Sequence, residues 1–96
     1  MTLHIVSKSP FSTQALSDCL ESFADGDALL LIEDGVYALQ HKALQDLQNT
    51  EIFYLAADSE ARGLLPSAIS CSVEAIDDAR WVHLCTEHNP IVSWFR

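Results

Sequence analysis

A chain of 96 residues with 14 acidic and 5 basic side chains carries a formal net charge of −9, and such a field repels phosphates, which argues against direct nucleic-acid binding. With 49% hydrophobic residues and a mean hydropathy of +0.13, it is too apolar for a disordered chain. It is also too short to give each of two halves its own core, so residues 1–96 read as one domain.

The longest apolar run, around Ala28 to Ile32, is far below the roughly 18 residues of a membrane span. Met1 to Val6 is followed at once by Lys8 and Pro10 rather than by the longer apolar stretch of an export signal, so the expected location is the cytoplasm with no membrane attachment.

Leu3 to Val6 is a first short strand. Ser7-Lys8-Ser9-Pro10-Phe11 forms a loop, and Ser12 is placed to cap a helix running to about Phe23. Along that helix Leu16, Cys19, Leu20 and Phe23 fall at i, i+3, i+4 and i+7, one apolar stripe. Asp25-Gly26-Asp27 is turn chemistry. Ala28 to Ile32 then reads as a central strand buried on both faces.

Glu33-Asp34-Gly35 turns the chain into a helix expected over Val36 to Leu47. Val36, Leu39, Ala43 and Leu47 share one face, and His41, Lys42 and Asp46 lie on the polar one. Ile52 to Ala56 is a third strand, followed by a short helix over Ser59 to Arg62 that Gly63 terminates. Pro66 lies in a loop. A fourth strand around Cys71 to Ile76 leads to Asp77, a cap for a helix to about His88 with Trp81, Leu84, Cys85 and His88 on its stripe. Ile91 to Phe95 closes the chain as a short strand.

This alternation predicts a three-layer α/β/α fold around a mostly parallel five-stranded sheet, flavodoxin-like, with right-handed crossovers. By analogy the expected strand order is 2-1-3-4-5. Chemistry in such sheets gathers beyond the carboxyl ends of the strands, here Ser7 to Ser12, Glu33 to Val36, Ala57 to Ser59 and the neighbourhood of Asp77.

Each candidate in those loops has a plainer reading. Ser7 to Ser12 could hold an anion at a helix start, but it has no glycine to bring the backbone to a phosphate and no dinucleotide or P-loop pattern, which favours a structural loop. Glu33-Asp34 could bind magnesium or accept a phosphoryl group; the first loop lacks the further acids, and the last strand lacks the lysine, of a receiver domain, so a turn with helix-start acids is favoured. His83, Cys85 and His88 invite a zinc reading, yet position 83 leaves the helix face shared by 85 and 88 and no fourth ligand is evident. No metal and no cofactor is expected.

Cys19, Cys71 and Cys85 lack CxxC spacing and are read as three free thiols in a reducing compartment. Of these Cys19 is the sharpest candidate for chemistry. Its stripe says core, and it lies about two turns into its helix, beyond the reach of the dipole that would activate it.

The segment His4-Ile5-Val6-Ser7-Lys8-Ser9-Pro10-Phe11, the run Leu29 to Ile32 continued by Glu33-Asp34-Gly35-Val36-Tyr37-Ala38, the triplet Ala61-Arg62-Gly63 and the closing Val92-Ser93-Trp94 resemble the DsrH/TusB family, over nearly the whole chain from about Leu3 to Trp94. The resemblance implies a DsrEFH-like fold and an accessory subunit, without stand-alone activity, of a cytoplasmic sulfur-relay complex. In such a complex three related small subunits, two copies of each, form a heterohexamer that passes persulfide sulfur between proteins. The implied partners are TusC/TusD-like or DsrF/DsrE-like subunits.

In the TusB branch the sulfur goes toward 2-thiolation of the tRNA wobble uridine. In the DsrH branch it serves dissimilatory sulfur metabolism, and Cys19, at the position of the first-helix cysteine of DsrH-like members, would be a direct carrier. The resemblance therefore offers Cys19 as a persulfide site. Because Ala57-Asp58-Ser59 and the equivalent loops contain no cysteine, it places the principal carrier on the related larger subunit. Apolar surface around Tyr37, Trp94 and Phe95 is the candidate interface, and an isolated chain can self-associate. A stand-alone nucleotide or flavin module rests on topology alone.

Overall fold

The computed structural model of the chain describes residues 2–9, 14–24, 26–40, 51–63 and 73–94. In order they form β1 (Leu3–Val6), α1 (Ala15–Glu21), β2 (Ala28–Leu31), a 3-10 helix labelled α2 (Glu33–Gln40), β3 (Glu51–Leu55), α3 (Ala56–Ala61), β4 (Val73–Ile76), α4 (Asp78–Glu87) and β5 (Ile91–Trp94). All five strands pair in parallel, and the α/β class with a five-stranded, flavodoxin-like sheet is as the sequence pattern predicts.

The strand order is not. The sheet runs β4-β3-β2-β1-β5, so β1 lies between β2 and β5 rather than between β2 and β3. The physical reason is visible in β2 itself. Each of its residues, Ala28 to Leu31, has no solvent exposure, which suits the middle of a sheet and would be wasted at the edge that the order 2-1-3-4-5 assigns it. The edges, β4 and β5, each carry two exposed residues, Glu74 and Ala75 on one and Ile91 and Ser93 on the other.

This order also sorts the helices. The steps β1 to β2, β2 to β3 and β3 to β4 all move in one direction, and β4 to β5 crosses back over the sheet, so right-handed connections put α4 on the face opposite the other helices. One face packs Val6, Leu29, Leu31 and Ile52 against Leu16 and Cys19 of α1 and Val36, Ala38 and Leu39 of α2. The other packs Leu3, Ile5, Leu30, Phe53, Leu55 and Ile76 against Leu84 of α4, with Trp81 and Cys85 at its margin. Alternation along each strand supplies both layers.

Helix boundaries shift where backbone geometry intervenes. The helix expected from Val36 begins three residues earlier, directly after β2, because Glu33 takes a left-handed φ of 48° and the Gly35 N–H bonds the Ile32 carbonyl at 2.8 Å. Gly35 sits so close to β1 that a Cβ there would overlap the Val6 carbonyl. Residues 41–47 of that expected helix lie outside the described residues, as do Ser12, Pro66 and Cys71. The helix start that is described, at Ala15, follows Gln14 and has no side-chain cap. Asp77 does cap α4, its Oδ1 accepting the Arg80 N–H at 2.9 Å, and Gly63 ends α3 at φ 67°.

Candidate functional site

Beyond the carboxyl ends of β2 and β3, the acidic residues meet across α2 and α3. Asp58 Oδ2 accepts the Glu33 N–H at 2.7 Å. Arg62 places Nε and Nη2 each 3.0 Å from Asp34 Oδ1, and its Nη1 donates to the Asp58 carbonyl at 3.1 Å. The carboxylates are thus tied into a clasp that joins the start of α2 to α3. Glu33 and Asp34 stand in the first turn of α2, where acids favour the helix dipole.

Among the described residues no three His, Cys, Asp or Glu side chains converge as a metal site would require. His83, exposed on α4, has Nε2 3.4 Å from Glu87 Oε1. The His88 Nδ1–H instead donates to the Leu84 carbonyl at 2.9 Å, and Cys85 packs at the margin of the α4-side core. In the first loop Ser7 is buried and Lys8 exposed; Pro10 to Ser12 lie outside the described residues.

Cys19 sits on the inner stripe of α1 with no solvent exposure, among Leu16, Val6 and Leu29. Burial, and secondarily the negative charge of Asp27, push its thiol up to about 12. A thiol in this state is protonated at neutral pH and beyond the reach of a protein-sized sulfur donor. Cys85 is free and half-buried.

A buried polar cluster forms around a residue that the sequence pattern read only as part of a turn. Asp27, between the turn and β2, is only 8% exposed. Its carboxylate accepts the Thr2 N–H at 3.0 Å, the Ala24 N–H at 3.0 Å and His4 Nε2 at 2.9 Å. Desolvation alone would raise its titration, but the N–H of Ala24, the His4 ring and the N–H of Thr2 outweigh it and hold the carboxyl at about 2.

His4 in turn receives the Trp94 indole N–H on Nδ1 at 3.2 Å and stacks on Phe23 with ring centroids 4.6 Å apart. Asp27, His4 and Trp94 therefore form one line of hydrogen bonds. An indole N–H only donates, so the line has the acid and imidazole of a hydrolytic triad but ends on a group with no nucleophilic lone pair. The available signal was a histidine inside an apolar strand, which needs a buried partner, and an aspartate directly before the most apolar strand. Of the predicted interface residues, Tyr37 and Trp94 are half-buried against the α1-side core, and Phe95 is outside the described residues.

The family model described as "DsrH like protein" matches residues 8–91. The chain belongs to the DsrH family. It is 36% identical over 98 residues to Protein TusB of Pectobacterium parmentieri, covering 96% of this chain and 99% of that protein. Protein TusB of Enterobacter sp. (strain 638) is 34% identical over 96 residues, and that of Escherichia coli O81 (strain ED1a) 33% over 96, each with the same coverage of both chains. This DsrH-family chain is thus similar to TusB proteins almost end to end.

Proposed function

We propose that this DsrH-family chain is an accessory subunit of a cytoplasmic sulfur-relay complex. It would have no stand-alone activity and would assemble with two related small subunits, TusC/TusD-like or DsrF/DsrE-like, in a heterohexamer. The full-length likeness to TusB proteins favours the branch in which persulfide sulfur travels toward 2-thiolation of the tRNA wobble uridine. The observation that carries the accessory role is the state of the thiols. Cys19 is sealed in the α1-side core, and among the described residues no cysteine stands at the carboxyl end of the sheet.

In this reading the sulfur-bearing cysteine belongs to a partner. The reading is tested by recovering the tagged chain from its own host and measuring the mass and composition of the assembly. Two stoichiometric small partners support it; a lone monomer or homodimer removes its basis.

Cys19 as a persulfide site belongs to the second, DsrH-type reading, in which it carries sulfur directly in dissimilatory metabolism. That role requires α1 to lift from the sheet. Alkylation of the native assembly followed by mass spectrometry separates the two: Cys19 unmodified in the native protein and modified after denaturation supports the accessory role, and native modification or an endogenous persulfide on Cys19 supports the carrier.

A further inference from the structure

The line Asp27, His4, Trp94 joins three separate pieces of chain. Asp27 precedes the central strand, His4 lies on β1, and Trp94 ends the edge strand β5. Trp94 stands opposite Val6 in the β1–β5 register, and its side chain runs back along the same face to reach the imidazole of His4 two residues earlier. This side-chain hydrogen bond ties β5 to β1 in addition to their backbone pairing.

Hydrogen-bond direction decides the form of the ring. An indole can only donate, so the Nδ1 that accepts from Trp94 bears no proton. An anionic carboxylate can only accept, so Nε2 carries the proton that faces Asp27 Oδ2. Both ring nitrogens are committed, and they are committed to one tautomer. In this form Asp27 and His4 together hold one negative charge, shared among the Thr2 N–H, the Ala24 N–H and the His4 Nε2–H.

We propose that His4 is a proton-operated latch on the Trp94 side chain: a proton taken up at Nδ1 removes the acceptor of the indole and frees that side chain at the end of β5, while the β1–β5 backbone ladder stays paired and Asp27 keeps the ring in place. The step is balanced simply. One proton from solvent bonds to Nδ1, the indole keeps its N–H and loses its partner, and the Asp27–His4 pair passes from one net negative charge to an imidazolium–carboxylate pair of no net charge. That pair stays hydrogen-bonded through Nε2, so release is confined to the Trp94 side.

Among the described residues, those that surround the ring offer little else that titrates. β2 presents Leu29 beside His4 and β5 presents Val92. From α1 come Cys19, whose thiol senses the Asp27 charge, and beyond its end the uncharged ring of Phe23. Asp27 remains ionised throughout the range in which a histidine titrates, because its own carboxyl is held near 2. The Trp94 and His4 rings lie near-parallel, with centroids 6.2 Å apart and an interplanar angle of 24°, so they meet through the indole N–H and Nδ1 at their edges.

The experiment is nitrogen-15 spectroscopy of the histidine rings and of the two indole N–H groups in the full chain, from about pH 8 down to 5, with His4→Gln assigning the His4 signals. At the upper end the latch requires one proton-free Nδ1 and one protonated Nε2 on His4, with the Trp94 N–H shifted by its bond. On acidification Nδ1 must become protonated as the Trp94 N–H loses that shift, with Trp81 unchanged as the internal control. A ring already protonated at Nδ1 at pH 8, or a Trp94 signal that does not follow the His4 titration, overturns the proposal. His4→Gln should abolish the Trp94 response, and persistence of that response overturns it as well. Should His4→Gln fail to fold, the titration of the natural chain still decides, with Trp94→Phe identifying the indole signal.

Discussion

At the amino-terminal end of the strands, Asp27 is buried and its carboxylate is the meeting point of three N–H donors. At the carboxyl end Asp34 and Asp58 are joined through Arg62 at a surface where Asp34 keeps 59% side-chain exposure. Both are acid-centred clusters, and a sequence pattern weights them alike. They differ in what replaces their interactions when one member is lost. Water takes over at the exposed clasp, whereas Asp27, at 8% exposure, has little access to it.

The largest effect separating the two ends should come from Asp27→Ala. It leaves two backbone N–H groups and a histidine ring without their acceptor, and a loss of about 3 kcal/mol or more is expected in urea unfolding. A loss under about 1 kcal/mol would mean that water fills the site and that the contrast between the ends is false. Gly35→Ala tests the backbone of the carboxyl end apart from its charges. The added methyl must displace the Val6 carbonyl, so a cost toward about 3 kcal/mol is expected. Near-neutral behaviour would show that β1 and α2 can separate without penalty.

The pH dependence of stability sharpens the same contrast. The folded Asp27 carboxyl titrates at about 2 against 3.8 in the reference state. Its contribution is therefore fully present above about pH 4 and lost as pH falls through 2, amounting to roughly 2 kcal/mol. Asp27→Asn should flatten that part of the curve, and an unchanged acid limb would assign the effect to other carboxylates. The smallest effect belongs to Arg62→Ala, expected to cost about 1 kcal/mol or less and to shrink further in high salt. A larger, salt-independent loss would make the clasp a buried structural element after all.

The apolar patterning was sufficient to locate every strand. Leu3–Val6, Ala28–Leu31, Glu51–Leu55, Val73–Ile76 and Ile91–Trp94 each fall within a residue or two of the expected run, because burial on one or both faces leaves a direct mark on residue choice. The stripe of α1 was equally legible, and Cys19 occupies the buried place in it that its spacing assigned. The onset of α2 was less so, since it depends on a left-handed Glu33 and on the approach of Gly35 to Val6. Neither the tight turn nor the close contact has a hydrophobic period.

Composition and period by themselves determined that this chain builds a parallel α/β sheet with a buried first-helix thiol, and the order of its motifs pointed to the DsrH/TusB family. Only the tertiary structure decided the strand order β4-β3-β2-β1-β5 and the union of Asp27, His4 and Trp94. Burial is a property of one residue at a time and is written locally in the sequence. The choice of neighbouring strand, and the partner of a buried polar group 23 or 90 residues away, is settled by how whole elements pack.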